Sequence, residues 1–451
     1  MIQEQHGNEG GCTAEFREKI KADPDVSLMQ SLIEETGIRN AVFRRRFLPD
    51  DFYDFNLKLP ETPVTDQGNS GRCWIYAAMN VINPMIAARN RLRDIRLSED
   101  YIAFYDLFEK ADYFLSFVIE TRELDIDDRL VWTMRQHPIQ DCGQWFFLQH
   151  ILEKYGIVTK DAMPPRKAAV KTSEMIDVLS DMLREYEEIL RNQFYYKSYR
   201  METVLKQKHA MLFQVYRFLV MALGEPPSSF SPCFRTHAGK EILEEQISPL
   251  DFYRKYAGWM DYNRDFCALV NIPTENKAFY QTYSVKYLGN VWGCCENSFL
   301  NLPMDAIKKC IILQLEQGVP VWIGCDSAVF PDMENGIYAT ENYDLSVYGF
   351  QDLFFRKGNA LQFGLTRLRH AMTVVGVSFD AQKKPSKWLV KNSYGANAGH
   401  SGYVSMTDEW FSFYVYQAVI KKELLDTETL QGLETNPISL DLWDVLGSLA
   451  D

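Results

Sequence analysis

Apolar residues recur at helical spacing through Ile75, Ala78, Met79 and Ile82, directly behind the polar loop Gln67-Gly68-Asn69-Ser70-Gly71-Arg72. The pattern predicts a helix that starts at Cys73. Pro84 stands in its path and predicts a kink or an early end. Further helices are predicted from Ser98 through Phe117, from Phe147 to Tyr155 and, near the start of the chain, from about Ser27 to Glu35. The longest helical pattern takes in Met175, Leu179, Met182, Leu183, Tyr186, Ile189 and Leu190, resumes at Val204 and runs to Leu223. Gly224, Pro226 and Pro227 stop it, so this block is expected to be two or more amphipathic helices packed on one another with solvated charged faces. Beyond it the pattern changes to short apolar runs at Pro320–Gly324, Ala371–Phe379, Lys387–Val390 and Gly402–Met406, which read as strands. Between the first two, Phe330 to Arg367 has little periodicity and is expected to be a long surface excursion. The fold class expected is α+β. Its parts are an N-terminal extension (1–55), a helical segment with Cys73 (56–170), a helical block (171–265), a sheet segment (266–436) and a closing arm (437–451).

Composition narrows the function classes. With 451 residues, 46% of them hydrophobic, the chain can bury a large core. A formal net charge of -13 argues against nucleic acid and anionic membranes as partners. No apolar run reaches membrane-spanning length, and Met1 to Gly11 is polar and acidic with no targeting pattern, so a soluble cytoplasmic protein is expected. The nine cysteines include no CxxC pair and no cluster with histidine at zinc spacing, which points to free thiols in a reducing compartment and to no metal or organic cofactor.

Most buried cysteines are inert small hydrophobes. Cys73 differs because it begins a helix behind a flexible loop, where unpaired amides and the helix dipole favour a thiolate. Gln67, upstream in that loop, can bring a side-chain amide to an oxygen near the sulfur and, with the Cys73 N–H, form an oxyanion hole. A proton partner is offered by His370 at the start of one strand, with Asn392 at the end of another to fix its ring. His6, His137, His150, His209 and His237 have no partner motif, and His400 sits in a glycine-bearing loop, so structural or surface roles are expected for them.

These residues resemble the three motifs of the papain clan: Gln67 with Ser70-Gly71-Arg72-Cys73-Trp74, then His370-Ala371-Met372, then Asn392-Ser393-Tyr394-Gly395. Within it, Asp141-Cys142-Gly143-Gln144-Trp145, Leu302-Pro303-Met304-Asp305, Met406-Thr407-Asp408-Glu409-Trp410-Phe411 and the tail Trp443 to Ala450 resemble the bleomycin hydrolase and aminopeptidase C family. Ser70 replaces the cysteine found three residues before the nucleophile in secreted relatives, which fits a cytosolic enzyme. Cys73 and His370 also lie far beyond the ~130 to 150 residues of the papain pattern, so the helical block reads as an insertion.

The resemblance implies a two-subdomain papain-like core and amide hydrolysis through a thioester acyl-enzyme. It assigns Cys73 as nucleophile, His370 as base and then acid, Asn392 as orienter and Gln67 as oxyanion donor. It implies that the Gly143 backbone lines the substrate, with Cys142 in place of a usual glycine, and that Tyr394, in place of the usual tryptophan, keeps an aromatic shield. It further implies a tail lying in the cleft, whose carboxylate at Ala450, after loss of Asp451, would bind the free amine of a peptide substrate and restrict the enzyme to aminopeptidase action. A homohexamer is implied as well. The competing readings are an idle oligomeric scaffold or nucleic-acid-binding relative, and an unrestricted cysteine endopeptidase.

Overall fold

Helices dominate the first half of the chain and strands the second, as the change of hydrophobic period requires. The computed structural model describes residues 9–44, 52–195, 199–294, 297–350 and 356–450. Its helices begin with α1 (Glu9–Lys21), α2 (Pro24–Thr36), α3 (Cys73–Asn90), α4 (Glu99–Glu120), α5 (Arg129–Gln136) and α6 (Trp145–Tyr155). They continue with α7 (Lys167–Val170), α8 (Ser173–Tyr195), α9 (Met201–Leu223), α10 (Pro249–Tyr256) and α11 (Met304–Glu316), then α12 (Lys357–Gln362), α13 (Asp408–Tyr414) and α14 (Thr427–Leu433). None is long and apolar enough to cross a membrane.

A small hairpin pairs Cys233–Arg235 with Glu241–Leu243, and all other described strands belong to one mixed sheet. Its centre is built from β1 (Val321–Cys325), β2 (His370–Phe379), β3 (Pro385–Lys391), β4 (Tyr403–Thr407) and β5 (Val415–Lys421), in spatial order β5-β1-β2-β3-β4. The β1 and β2 strands are antiparallel, with His370 opposite Cys325 and Thr373 opposite Trp322; β3 pairs with β2 through Thr373 and Lys391. Both faces of this centre are covered. Trp322 and Ala371 belong to the core shared with α3, α4 and α6, whereas their neighbours Val321, Ile323, Met372 and Val374 belong to a second core under α11 and α13. That alternation is the period-two geometry of a strand, and burial on both faces explains the nearly continuous apolar runs.

The α3 helix is surrounded. Every residue from Cys73 to Ile82 is buried, so the helix is a core element and not one with a solvated face. Two bonds seat it on the sheet: the Trp322 indole N–H donates to the Trp74 carbonyl at 3.2 Å, and the Thr373 hydroxyl to the Ala77 carbonyl at 3.1 Å. Contrary to one expectation, α3 does not end at Pro84 but runs to Asn90, closed by Arg91 in the left-handed region.

Three further expectations change. The α8 and α9 helices touch each other, but each meets α4 more extensively, so α4 and not a mutual seam buries their apolar faces. The stretch Phe330 to Arg367 is not merely a surface excursion. Its Ile337 and Tyr338 form a buried strand parallel to β4, Asn342 is buried, and α12 lies within it. Helix α1 went unforeseen, because its sequence is polar and only weakly amphipathic.

Trp322 both fills the junction and donates to α3, so Trp322→Ala should lower unfolding stability by about 3–5 kcal/mol. A urea midpoint unchanged from that of the parent protein would show that the seat of α3 lies elsewhere.

Candidate active site

The loop before α3 is held from several sides. Gly68 has φ of 59°, and a Cβ there would stand 2.4 Å from the Val170 carbonyl oxygen, so only glycine fits this turn. The Gly71 N–H and the Thr172 hydroxyl both donate to the Asp141 carboxylate, at 2.8 and 2.6 Å. Arg72 is buried beside Asp100, with guanidinium and carboxylate 2.9 Å apart, and a further guanidinium N–H meets the Ala169 carbonyl. Neither Asp100 nor Asp141 was foreseen as part of the site. Asp141 stood within a recognised motif, but nothing in the sequence signals Asp100 as the partner of Arg72.

Cys73 is 5% exposed at the first turn of α3 and carries no disulfide. Its sulfur meets the backbone N–H of Ala371 at 3.4 Å, which brings the head of the helix to the head of β2. The neighbouring His370 is buried, and its Nε2 lies 3.0 Å from Asn392 Oδ1. The same Asn392 oxygen accepts the Ser393 N–H at 2.9 Å, which fixes the amide by a bond of its own. Tyr394 stacks on the imidazole, with ring centroids 5.3 Å apart and planes 4° from parallel. The structure therefore brings Cys73, His370, Asn392 and Tyr394 together.

Gln67 is buried in the same loop. Its Nε2 donates to the Ser70 carbonyl at 2.6 Å and its Oε1 accepts from the Ser393 hydroxyl at 2.5 Å. One amide hydrogen is thus engaged and the second remains, since a primary amide carries two. Gly143 is buried between aromatic rings, where a Cβ would stand 2.7 Å from Trp74 and 2.9 Å from Phe147. Half-buried Cys142 turns its sulfur to the nucleophile loop, 2.6 Å from where a Cβ on Gly71 would be.

Ala450 ends a 3-10 helix over Val445–Ala450 that is anchored through buried Leu446 and an ion pair of 2.9 Å between Lys277 and Asp444. The Ala450 side chain and Asp451 lie outside the described residues. Of the other histidines, His150 bonds to Asn290 at 3.1 Å, and His400 stacks on Tyr53 with centroids 4.0 Å apart.

Burial opposes charge on both reacting groups. It pushes the Cys73 thiol up to about 11, an effect the Ala371 N–H partly offsets, and it lowers His370 from its ordinary value despite the bond to Asn392. The sequence led us to expect a thiolate favoured by the helix start. In the folded protein, desolvation outweighs that influence on the isolated thiol. A proton moved from Cys73 to His370 leaves the pair with no net charge, so this one ionisation escapes most of the penalty.

Residues 10–447 match the sequence model of the Peptidase C1-like family. The chain belongs to that family. This peptidase relative is 36% identical over 436 residues to "Aminopeptidase C" of Listeria monocytogenes, with 96% of this chain and 97% of the relative covered. It is 32% identical to "Bleomycin hydrolase" of Homo sapiens, with 96% of this chain and 97% of the human protein covered. A crystal structure of PepW from Lactobacillus rhamnosis superposes with a TM-score of 0.89 at 33% identity, covering 97% of this chain and 98% of that one. The α+β fold is thus that of the aminopeptidase C and bleomycin hydrolase family of papain-like cysteine peptidases.

The lowered His370 value has a consequence for stability. As pH falls below 6.5, the unfolded chain takes up the imidazole proton before the folded one does, so stability drops by up to about 1.4 kcal/mol per pH unit from this group. His370→Gln takes up no proton. Its urea midpoint should therefore gain on that of the parent protein as pH is lowered from about 7 to about 5, and a constant difference would contradict the assignment.

Proposed function

We propose that this protein is a cysteine aminopeptidase that releases residues from the free N-terminus of peptides. The observation that carries the reading is the meeting of Cys73 sulfur with the head of β2, where His370 is held at 3.0 Å by a neutral amide. In this reading Asn392 engages Nε2 and leaves Nδ1 for the thiol proton. Cys73 sulfur adds to the scissile carbonyl as His370 takes that proton. The Cys73 N–H and the second Gln67 amide hydrogen receive the oxyanion. His370 then returns the proton to the leaving amine as the C–N bond breaks, giving a thioester on Cys73. Water attacks the thioester with His370 as base, and the released acid frees the thiol.

The Gly143 peptide and Cys142 flank the bound residue. The arm over 437–451 supplies the restriction to chain ends, with the carboxylate at Ala450 meeting the substrate amine. Support comes from the ordered anchor of that arm, in which Arg129 lies 3.9 Å above the Trp443 ring and Leu446 is buried. The names of the relatives favour the same restriction. The reading also includes a cytoplasmic homo-oligomer, a hexamer by its likeness to the family. Exposed Phe213 and Met221 on α9 offer apolar surface for subunit contact.

The test compares a free peptide with its N-acetylated form, in the intact protein and in one truncated after Leu446. The intact enzyme should cleave only the free peptide, and truncation should bring cleavage of the acetylated one. Equal rates on both forms by the intact enzyme would refute aminopeptidase action, and no cleavage of either would favour the idle scaffold.

A further inference from the structure

Behind the cleft, α4 carries a lysine that no surface role explains. Lys110 has a side chain 10% exposed, and its ammonium is 2.7 Å from the Asp106 carboxylate, itself 1% exposed. The other two ammonium hydrogens reach the backbone carbonyls of Gln140 and Cys142, at 2.9 and 2.5 Å. All three donors are therefore used. Asp106 is fixed in turn by the Asn290 amide at 2.9 Å, so the ammonium cannot shift without breaking a buried network. Between the two carbonyls held by Lys110, that of Asp141 accepts the Trp74 indole N–H at 2.9 Å.

Three successive carbonyls of the segment leading to Gly143 thus point into the protein. A trans peptide is planar, with its N–H directed opposite to its C=O. The Cys142 carbonyl and the Gly143 N–H share one peptide, so the bond to Lys110 directs that N–H away from the interior, on the side where Cys142 is half-buried. Among the described residues, no protein group takes the Gly143 N–H, although Gly143 is buried. Buried amides are rarely left without a partner, so a group from outside the chain, water in the free protein and substrate in the complex, completes this one. Lys110 also lies within 5.7 Å of the Trp74 ring and 5.3 Å of the Phe147 ring, the two that confine Gly143.

We infer that Lys110 is a positioning residue for the peptide substrate: held by Asp106, it turns the Gly143 N–H toward a carbonyl of the bound chain. The inference rests on the peptidase reading and adds to it a residue that touches neither substrate nor Cys73. A donor of this kind acts on bound substrate and transition state alike, so its loss raises KM and spares kcat.

The test uses the full-length protein, a fluorogenic dipeptidyl amide with a free N-terminus, which offers a carbonyl besides the scissile one, and the variants Lys110→Met and Asp106→Asn/Lys110→Met. The double variant leaves no unpaired charge in the core and carries the test should the single one fold poorly. KM should rise about tenfold, the weight of one hydrogen bond, with kcat and the iodoacetamide alkylation rate of Cys73 each within about twofold. An unchanged KM in a folded variant overturns the inference, as does a matching fall in kcat and alkylation, which would make Lys110 a support for Cys73 alone. Parent protein needs no variant for a second reading: amide hydrogen exchange at Gly143 should slow when a peptide aldehyde occupies the site, and equal exchange counts against the proposal. Failure of the parent protein to cleave the amide would instead sink the peptidase reading itself.

Discussion

The burial of α3 on every side from Cys73 to Ile82 is the constraint from which the site follows. A helix with no solvated face must be matched by neighbours all round, and here the match to the sheet is made through Trp322 to Trp74 and Thr373 to Ala77. Once those contacts are set, the first turn of the helix has only one place to go. Cys73 sulfur comes to the Ala371 N–H, beside His370, and the register of β2 against β3 brings Asn392 to the imidazole. A slip of one residue in either strand pair would turn β2 over and remove His370 from the sulfur. The position of the imidazole is therefore a property of the sheet, not of a mobile loop.

The same burial sets the electrostatics. Charge on Cys73 or on His370 alone is disfavoured, while a proton passed between them creates opposite neighbouring charges that fixed donors already face. Asn392 suits this setting because it is neutral. It fixes the ring through one oxygen, itself fixed by the Ser393 N–H, and adds no further charge to a region that excludes water. Tyr394 covers the imidazole with an apolar face at the cost of 39% exposure of its own.

Residues whose chemistry dictates their type were legible in sequence. Cys73 at a helix start, Gln67 in the loop before it, and His370 and Asn392 at strand ends stand where the local pattern is distinctive, and the two strands concerned are buried enough to read as apolar runs. What could not be read is charge placed inside the protein. Asp106 and Lys110 have the four-residue spacing of an ordinary surface pair on a helix, and only the tertiary position of α4 makes them interior. Arg72 and Asp100 are hidden for the same reason. Periodicity reports which face of a helix is apolar, not what lies across from its polar face. That is also why α8 and α9 read as partners of one another when α4 lies between them and the core.

The position of α4 gives the helical block a part in the site that none of its own residues plays. The helix supplies Asp100 to the nucleophile loop, Lys110 to the segment before Gly143 and Glu109 to the Lys154 ammonium at 2.7 Å. The α8 and α9 helices pack on the same helix, where Tyr216 lies edge-on against Phe104 at 5.3 Å and Phe108 at 5.7 Å, and Lys208 reaches Asp112 at 2.8 Å. Without that cover, water would reach the buried ion pairs and weaken the attraction that orders them, since the interaction of two charges falls with the dielectric around them. An element that appears, from its sequence, to be an appended pair of helices thus keeps dry the scaffold on which the nucleophile loop and its facing wall are hung.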